Sequence, residues 1–263
     1  SLTLSKGQYS VWMTVSMNVT AAETSSVANM TMPLAVINSS NFEMSYSNTT
    51  GLKLLVTAPT VITVLFPTRN TTQVPIALAM FMNATSMCFA TSPALAGFSG
   101  VTAPPGYTSV LACSPMNGTV AEVLSNITAY VMELRDDIIG NLTYMGDGTW
   151  NGQATYCFAT KKPVTLPFIS MYVTAWNLES ASISVYITDL CLLESGYATF
   201  IQGTITFSAT RLELYNNQNV PVTITVNIPF TANLINYTNA FDAQGFSALL
   251  QNPYILPVTQ SGS

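Results

Sequence analysis

Residues 8–20, Gln8-Tyr-Ser-Val-Trp-Met-Thr-Val-Ser-Met-Asn-Val-Thr20, alternate apolar and polar side chains almost without a break. Tyr9, Val11, Met13, Val15, Met17 and Val19 hold one parity; Gln8, Ser10, Thr14, Ser16, Asn18 and Thr20 hold the other, interrupted by Trp12. Successive side chains of a strand point to opposite faces, so the pattern predicts a strand with one apolar and one wet face. At about 3.3 Å per residue it runs roughly 40 Å, about twice an ordinary strand. Such a strand must find cover for its apolar face. It either opens its own domain's sheet or leaves to complete a neighbour's, and the alternation alone leaves both fates open. Gly7 is a candidate hinge before it, and Glu23-Thr-Ser-Ser26 reads as a turn or linker after it. Residues 1–24 are therefore set apart as an arm, and residues 25–263 as a head.

The composition says what the head is made of. Charged residues are 7% of the 263, against about 25% in ordinary soluble domains. Hydrophobic residues are 49%, so the chain has neither the low hydrophobicity nor the high charge of a disordered one. The net charge is −5, and Lys161-Lys162 is the only adjacent basic pair, so no electrostatic footprint for nucleic acid exists. The longest apolar run, Ile76 to Met82, is too short to span a bilayer and reads as a buried strand. No charged segment precedes an apolar one at the start, so any secretion signal is expected to have been removed.

Cys88, Cys113, Cys157 and Cys191 form no CxxC, and the chain has no His to complete a zinc site. Two disulfides in an oxidising compartment are expected. Three connectivities exist; Cys88–Cys113 with Cys157–Cys191 closes the shorter loops and is favoured. Asn-X-Ser/Thr sequons stand at Asn18, Asn29, Asn38, Asn48, Asn70, Asn83, Asn117, Asn126, Asn141 and Asn236. A sugar needs water, so Asn18 marks the even face of the first strand as the wet one. Covalent N-glycans are expected, and no cofactor. The sequons also avoid residues 142–235. That stretch is either mostly core strand, or its outward face meets another subunit.

Short strands are expected at Met30–Ile37, Phe42–Tyr46, Leu52–Thr57, Thr60–Phe66 and Val74–Met82, punctuated by Pro33, Pro59, Pro67 and Pro75. Residues 91–118 are loop-rich, with one strand at Tyr107–Ala112. Val120, Val123, Leu124, Ile127, Val131, Leu134 and Ile138 keep helical spacing, with a capping-box pattern at Thr119 and Glu122, and predict an amphipathic helix over 119–139. Gly146-Asp147-Gly148 reads as a turn. Longer strands then follow at Gln153–Thr160, Val164–Trp176, Ser182–Leu193, Ala198–Ser208, Arg211–Tyr215 and Val220–Phe230, with a short helix at Asp242–Gln251. The fold class expected is mainly β, an antiparallel immunoglobulin-like Greek-key sandwich with one amphipathic helix.

Chemistry is sparse. Without His there is no Ser-His-Asp or Cys-His system, and no GxSxG, phosphate loop or dinucleotide fingerprint occurs. Asp136-Asp137 reads as solvated, Asp147 as a turn residue, and Lys53 as an edge-strand lysine reaching water rather than an isopeptide donor. No catalytic, cofactor-binding or metal residue is assigned, and the chain is expected not to be an enzyme. Few groups titrate between neutral pH and acid, which predicts acid tolerance.

The alternating arm and the charge-poor, sequon-dense, Ser/Thr/Asn-rich β body, with no type IV pilin helix, resemble the archaeal thread pilins. These are similar in architecture to bacterial chaperone–usher pilins. The resemblance is one of overall pattern rather than motif. It implies a glycosylated immunoglobulin-like head and a donor strand that inserts into the neighbouring copy. The chain would then form a homopolymeric, head-to-tail, extracellular cell-surface filament serving adhesion or biofilm, with a cell-surface or abiotic-surface ligand. Helix 119–139 and the size depart from a minimal pilin head. The alternatives are a virion surface or turret protein, an S-layer glycoprotein and, last, a secreted glycoside hydrolase.

Overall fold

The computed structural model describes residues 7–26, 29–49, 51–65, 68–82, 86–98, 100–115, 137–166, 179–215 and 218–256. The chain is mainly β, and its strands are hydrogen-bonded into one large, predominantly antiparallel sheet. In chain order these are β1 (Gln8–Thr24), β2 (Asn29–Ser47), β3 (Lys53–Val64), β4 (Asn70–Met82), β5 (Ser86–Thr91), β6 (Ser109–Pro115), β7 (Leu142–Trp150), β8 (Gln153–Thr160), β9 (Val164–Leu166), β10 (Ser180–Leu193), β11 (Ala198–Tyr215), β12 (Gln218–Thr238) and β13 (Pro253–Ile255). Among the described residues the short helices α1 (Pro93–Phe98) and α2 (Ala243–Leu249) accompany them, with a further helical stretch at 137–141.

The spatial order is β13-β6-β5-β4-β3-β2-β1-β12-β11-β10-β8-β7, with β9 also on β10. Two meanders therefore meet at the β1–β12 seam. The described strands follow one hydrogen-bonded path, where the sequence predicts two sheets in Greek-key order. Layering arises from curl instead. The indole Nε1 of Trp150, on the last strand of the path, donates to the carbonyl of Leu234 on β12 at 3.2 Å. Register shifts in β1, β2, β7 and β10 supply bends that allow this.

Several expected short strands merge into long ones. Pro59 lies inside β3, directly opposite Pro75 of β4. It is tolerated because the β2 register jumps there, from Ser39 paired with Thr60 to Glu43 paired with Thr57, leaving no ladder bond for Pro59 to miss. Pro75 lies beyond the reach of β5, whose pairing begins at Leu78. The turn expected at Gly146-Asp147-Gly148 is instead part of β7, with a register shift at Gly146 (φ 136°). The chain reverses at Asn151-Gly152, both with positive φ (48° and 77°), as a two-residue hairpin turn requires. Helix 119–139 falls outside the described residues except for its end; 137–141 are helical. Of the strand expected at Val164–Trp176, only Val164–Leu166 is described.

Two cores result. Leu55, Ala79 and Ala90, in register across β3, β4 and β5, pack under Phe246 and Leu249 of α2. Asp242 caps that helix, its Oδ1 accepting from the Gly245 N–H at 2.9 Å. On the β1–β12 seam, Val11, Met13, Ala232 and Leu234 form the second core. Cys88–Cys113 ties β5 to β6, and Cys157–Cys191 ties β8 to β10. Two disulfides suit an oxidising compartment. Among the described residues no helix is long and apolar enough to cross a membrane.

Beyond the seam the sheet stays two-faced. Met17 faces Phe230, Phe230 faces Gly203 and Gly203 faces Ile187; Ala21, Val226, Phe207 and Ile183 form a second apolar row. The other face is a polar lattice. The Thr206 hydroxyl donates to Asn227 Oδ1 at 2.9 Å, and Thr210 and Thr223 lie in hydrogen-bond contact at 2.9 Å.

Candidate functional site

The feature that organises the molecule is β1 in its slot. It pairs antiparallel with β2 from Gln8 to Thr24 and with β12 from Ser10 to Thr24. In this single chain the arm lies in cis. Among the described strands β1 alone bridges the β2–β6 meander to the β12–β7 meander. Val11 and Met13 are buried; Tyr9, Val15, Met17 and Val19 are half-buried.

The slot's floor is aromatic at its start. Tyr9 stacks on Tyr46 with centroids 5.4 Å apart and meets Tyr197 edge-on at 6.4 Å; Tyr197 lies 4.3 Å from Tyr237, which Trp150 joins at 6.1 Å. Burial pushes the Tyr9 phenol above its ordinary pKa, with the neighbouring Tyr46 and Tyr197 adding to it. Offset and edge contacts of this kind add about 0.5–1.5 kcal/mol per pair beyond area burial.

The even face of β1 is wet only in part. Thr14, Ser16 and Asn18 are exposed, as the sequon at Asn18 requires. Ser10, expected in water, is fully buried. Its hydroxyl shares a 2.7 Å hydrogen bond with Ser45 and lies 2.8 Å from the Ala240 carbonyl oxygen. The chain entering α2 crosses this end of the sheet and covers both serines. Ahead of β1, the Gly7 carbonyl accepts from the Asn48 N–H at 2.8 Å, and a Cβ on Gly7 would stand 3.0 Å from Asn48 Oδ1 and Thr49 Cγ2. Gly7 is thus a close-packing position as well as the candidate hinge.

Of the sequon asparagines, Asn18, Asn29, Asn38, Asn48, Asn70 and Asn236 are exposed, and Asn141 is half-buried with its Nδ2 donating to the Asp137 carbonyl at 2.7 Å. Asn83, Asn117 and Asn126 lie outside the described residues. Asn18 and Asn38 occupy the polar face together, the Ser16 hydroxyl between them donating to Asn38 Oδ1 at 2.8 Å. Ser16 and Asn38 line a depression of about 270 Å³ whose lining also includes Thr14, Thr231 and Asn233 and no ionisable group.

Asp147 accepts from the Tyr144 hydroxyl on exposed β7; Asp137 is exposed, and Asp136 lies outside the described residues. Cys157, Asp189 and Cys191 approach one another, but both sulfurs are spent in a disulfide. Lys53 is on an internal strand, its Nζ 5.8 Å over the Phe246 ring, rather than at an edge. Glu43 is the residue that sequence reading passed over. It is 9% exposed on β2, with Oε1 lacking a partner. Burial raises its pKa, Asp242 raises it further, and hydrogen bonds from Trp12 and Thr57 partly offset this. Its place between Phe42 and Met44 assigns it to the polar parity, which gave no hint of burial.

No known family model matches the chain, and no curated protein matches it in sequence.

Proposed function

We propose that this chain is a structural subunit of an extracellular, N-glycosylated surface filament. Its β1 is exchanged between copies as a donor strand, and its curled sheet serves as an immunoglobulin-like head. One observation carries the reading: β1 is the single described strand holding two meanders together, so the chain without it has a slot flanked by β2 and β12. A second copy's β1 offers that slot the same thirteen β12 partners and the same side chains as its own. Strand addition of this kind draws affinity from main-chain hydrogen bonds and register from alternate side-chain pockets. The wet face with Asn18 and Asn38, the disulfides and the scarcity of charge fit a coated extracellular structure with adhesion or biofilm roles.

Four residues separate Thr24 from Asn29. So short a connection favours reciprocal exchange closing as a two-fold pair, the closed-assembly reading that a virion surface protein would share. Electron microscopy of the purified chain separates the two. Helical filaments support the pilus reading; closed particles of fixed size support the second; a dispersed monomer at all concentrations contradicts both.

A further inference from the structure

β11 and β12 outrun the rest of the sheet. β10 stops pairing with β11 at Thr210, and β1 stops pairing with β12 at Thr223. From Arg211 to Tyr215 and from Gln218 to Val222 the two strands pair with each other, and among the described residues with nothing else. A two-stranded hairpin alone is marginal in water. This one nevertheless carries Leu212, Leu214 and Tyr215 at 47%, 72% and 52% exposure, with a single ion pair, Arg211–Glu213. Met30, 51% exposed, stands at the same end of the sheet, one residue past the β1–β2 connection. Leu212 and Leu214 project on the face of Thr210 and Thr223, Tyr215 and Met30 on the opposite one, so this projecting end exposes apolar side chains on both faces, which marks a contact end rather than scatter.

We infer that this hinge end, Met30 with Leu212, Leu214 and Tyr215, is a contact between two copies of the chain. The inference rests on the exchange reading of β1, and the geometry of exchange selects the partner. A donated β1 ends with Thr24 beside Thr223 of the acceptor, while Asn29 stays with the donor. Five residue steps of extended chain reach about 17 Å at most. Whatever the symmetry, each exchange therefore holds the two hinge ends together, and the exposed leucines of one copy come within reach of those of the other. Along the β12 edge the contact is made by side chains, because Pro221, opposite Leu212, offers no N–H for strand addition there. Asn18 and Asn38 share the face of Leu212 and Leu214 but lie farther along the sheet, and stay in solvent.

The test compares the full chain with a Leu212→Ser/Leu214→Ser double variant by light scattering over a concentration series. Intermolecular disulfide formation between a Met17→Cys copy and a Phe230→Cys copy is measured in both backgrounds. Association weakened at least about tenfold, with an unchanged melting temperature, supports the contact. Association unaltered by the double variant overturns it. A parent that associates without any Met17–Phe230 cross-link, and loses association in the double variant, keeps the contact and removes the exchange reading. A cross-link that forms equally in both backgrounds, with equal association, keeps exchange and removes the contact. Leu214→Asn alone serves as a second variant should the double substitution lower the melting temperature.

Discussion

The hydroxyls of Ser10 and Ser45 lie 2.7 Å apart in the interior, joining β1 to β2 on the face away from the aromatic cluster. Ser45 also accepts from the Asp242 N–H at 2.8 Å, and Ser10 reaches the Ala240 carbonyl. Two small polar side chains thus fasten the arm strand to the segment that leads into α2. Ser45→Ala leaves the Asp242 N–H without its partner in a buried site and takes one of two partners from the Ser10 hydroxyl, which keeps the Ala240 carbonyl. The expected loss is about 1–3 kcal/mol of folding stability, read by urea unfolding. A change within error would mean that the network is not structural.

Glu43 makes stability rise toward acid. Its folded pKa is raised, by burial and then by Asp242, above the unfolded value. Below the unfolded pKa both states hold the proton and the group costs nothing. As pH climbs through the unfolded and then the folded pKa, the unfolded state loses its proton first and the fold is penalised. Glu43→Gln should therefore raise the melting temperature at pH 7 and lose that advantage toward pH 3. A gain of equal size at both pH values would remove ionisation as the cause.

Gly203 is where β10, β11 and β12 pack closest. A Cβ there would stand 2.5 Å from the Tyr186 carbonyl oxygen and 3.2 Å from the Phe230 ring. Backbone cannot yield as a flexible side chain can, so Gly203→Ala should cost on the order of 1–3 kcal/mol. Gly97→Ala, with nothing within 4 Å of its added methyl, is the control and should lie within about 0.5 kcal/mol of the parent.

Sugar mapping by mass spectrometry tests the two faces. Asn18 and Asn38, exposed on the polar lattice, should be occupied in the secreted protein. Asn141, whose Nδ2 is engaged by the Asp137 carbonyl, should be occupied least among the described sequons. Bare Asn18 and Asn38 beside a fully modified Asn141 would invert this assignment.

Much of the fold was legible because alternation is a local property. The even and odd residues of β1, β10 and β12 declared their faces, and Asp242 declared its helix. The two cysteine pairs close the loops that spacing favoured. What alternation cannot declare is the partner. β1 pairs with β12 across more than two hundred residues, and nothing local to either strand says so. Pro59 misled because its tolerance comes from a register jump on another strand. Gly146-Asp147-Gly148 resembled a turn more than Asn151-Gly152 did only when composition was weighed above the positive φ that a two-residue hairpin needs. At the candidate site, the apolar residues of β1 were readable, whereas the burial of Ser10 involves a segment more than two hundred residues away in sequence, and Asp242, nearly as far from Glu43, adds to the rise in that carboxyl's pKa.

Whether β1 changes copies is decided by its register with β12, in which Met17 stands opposite Phe230. Chains carrying Met17→Cys alone are mixed with chains carrying Phe230→Cys alone, assembled from the unfolded state and oxidised. The account predicts disulfide-linked species containing one chain of each kind, with no comparable product from a Met17→Cys and Thr223→Cys mixture. Cross-links confined to a chain carrying both substitutions, and absent from the mixture, would contradict it.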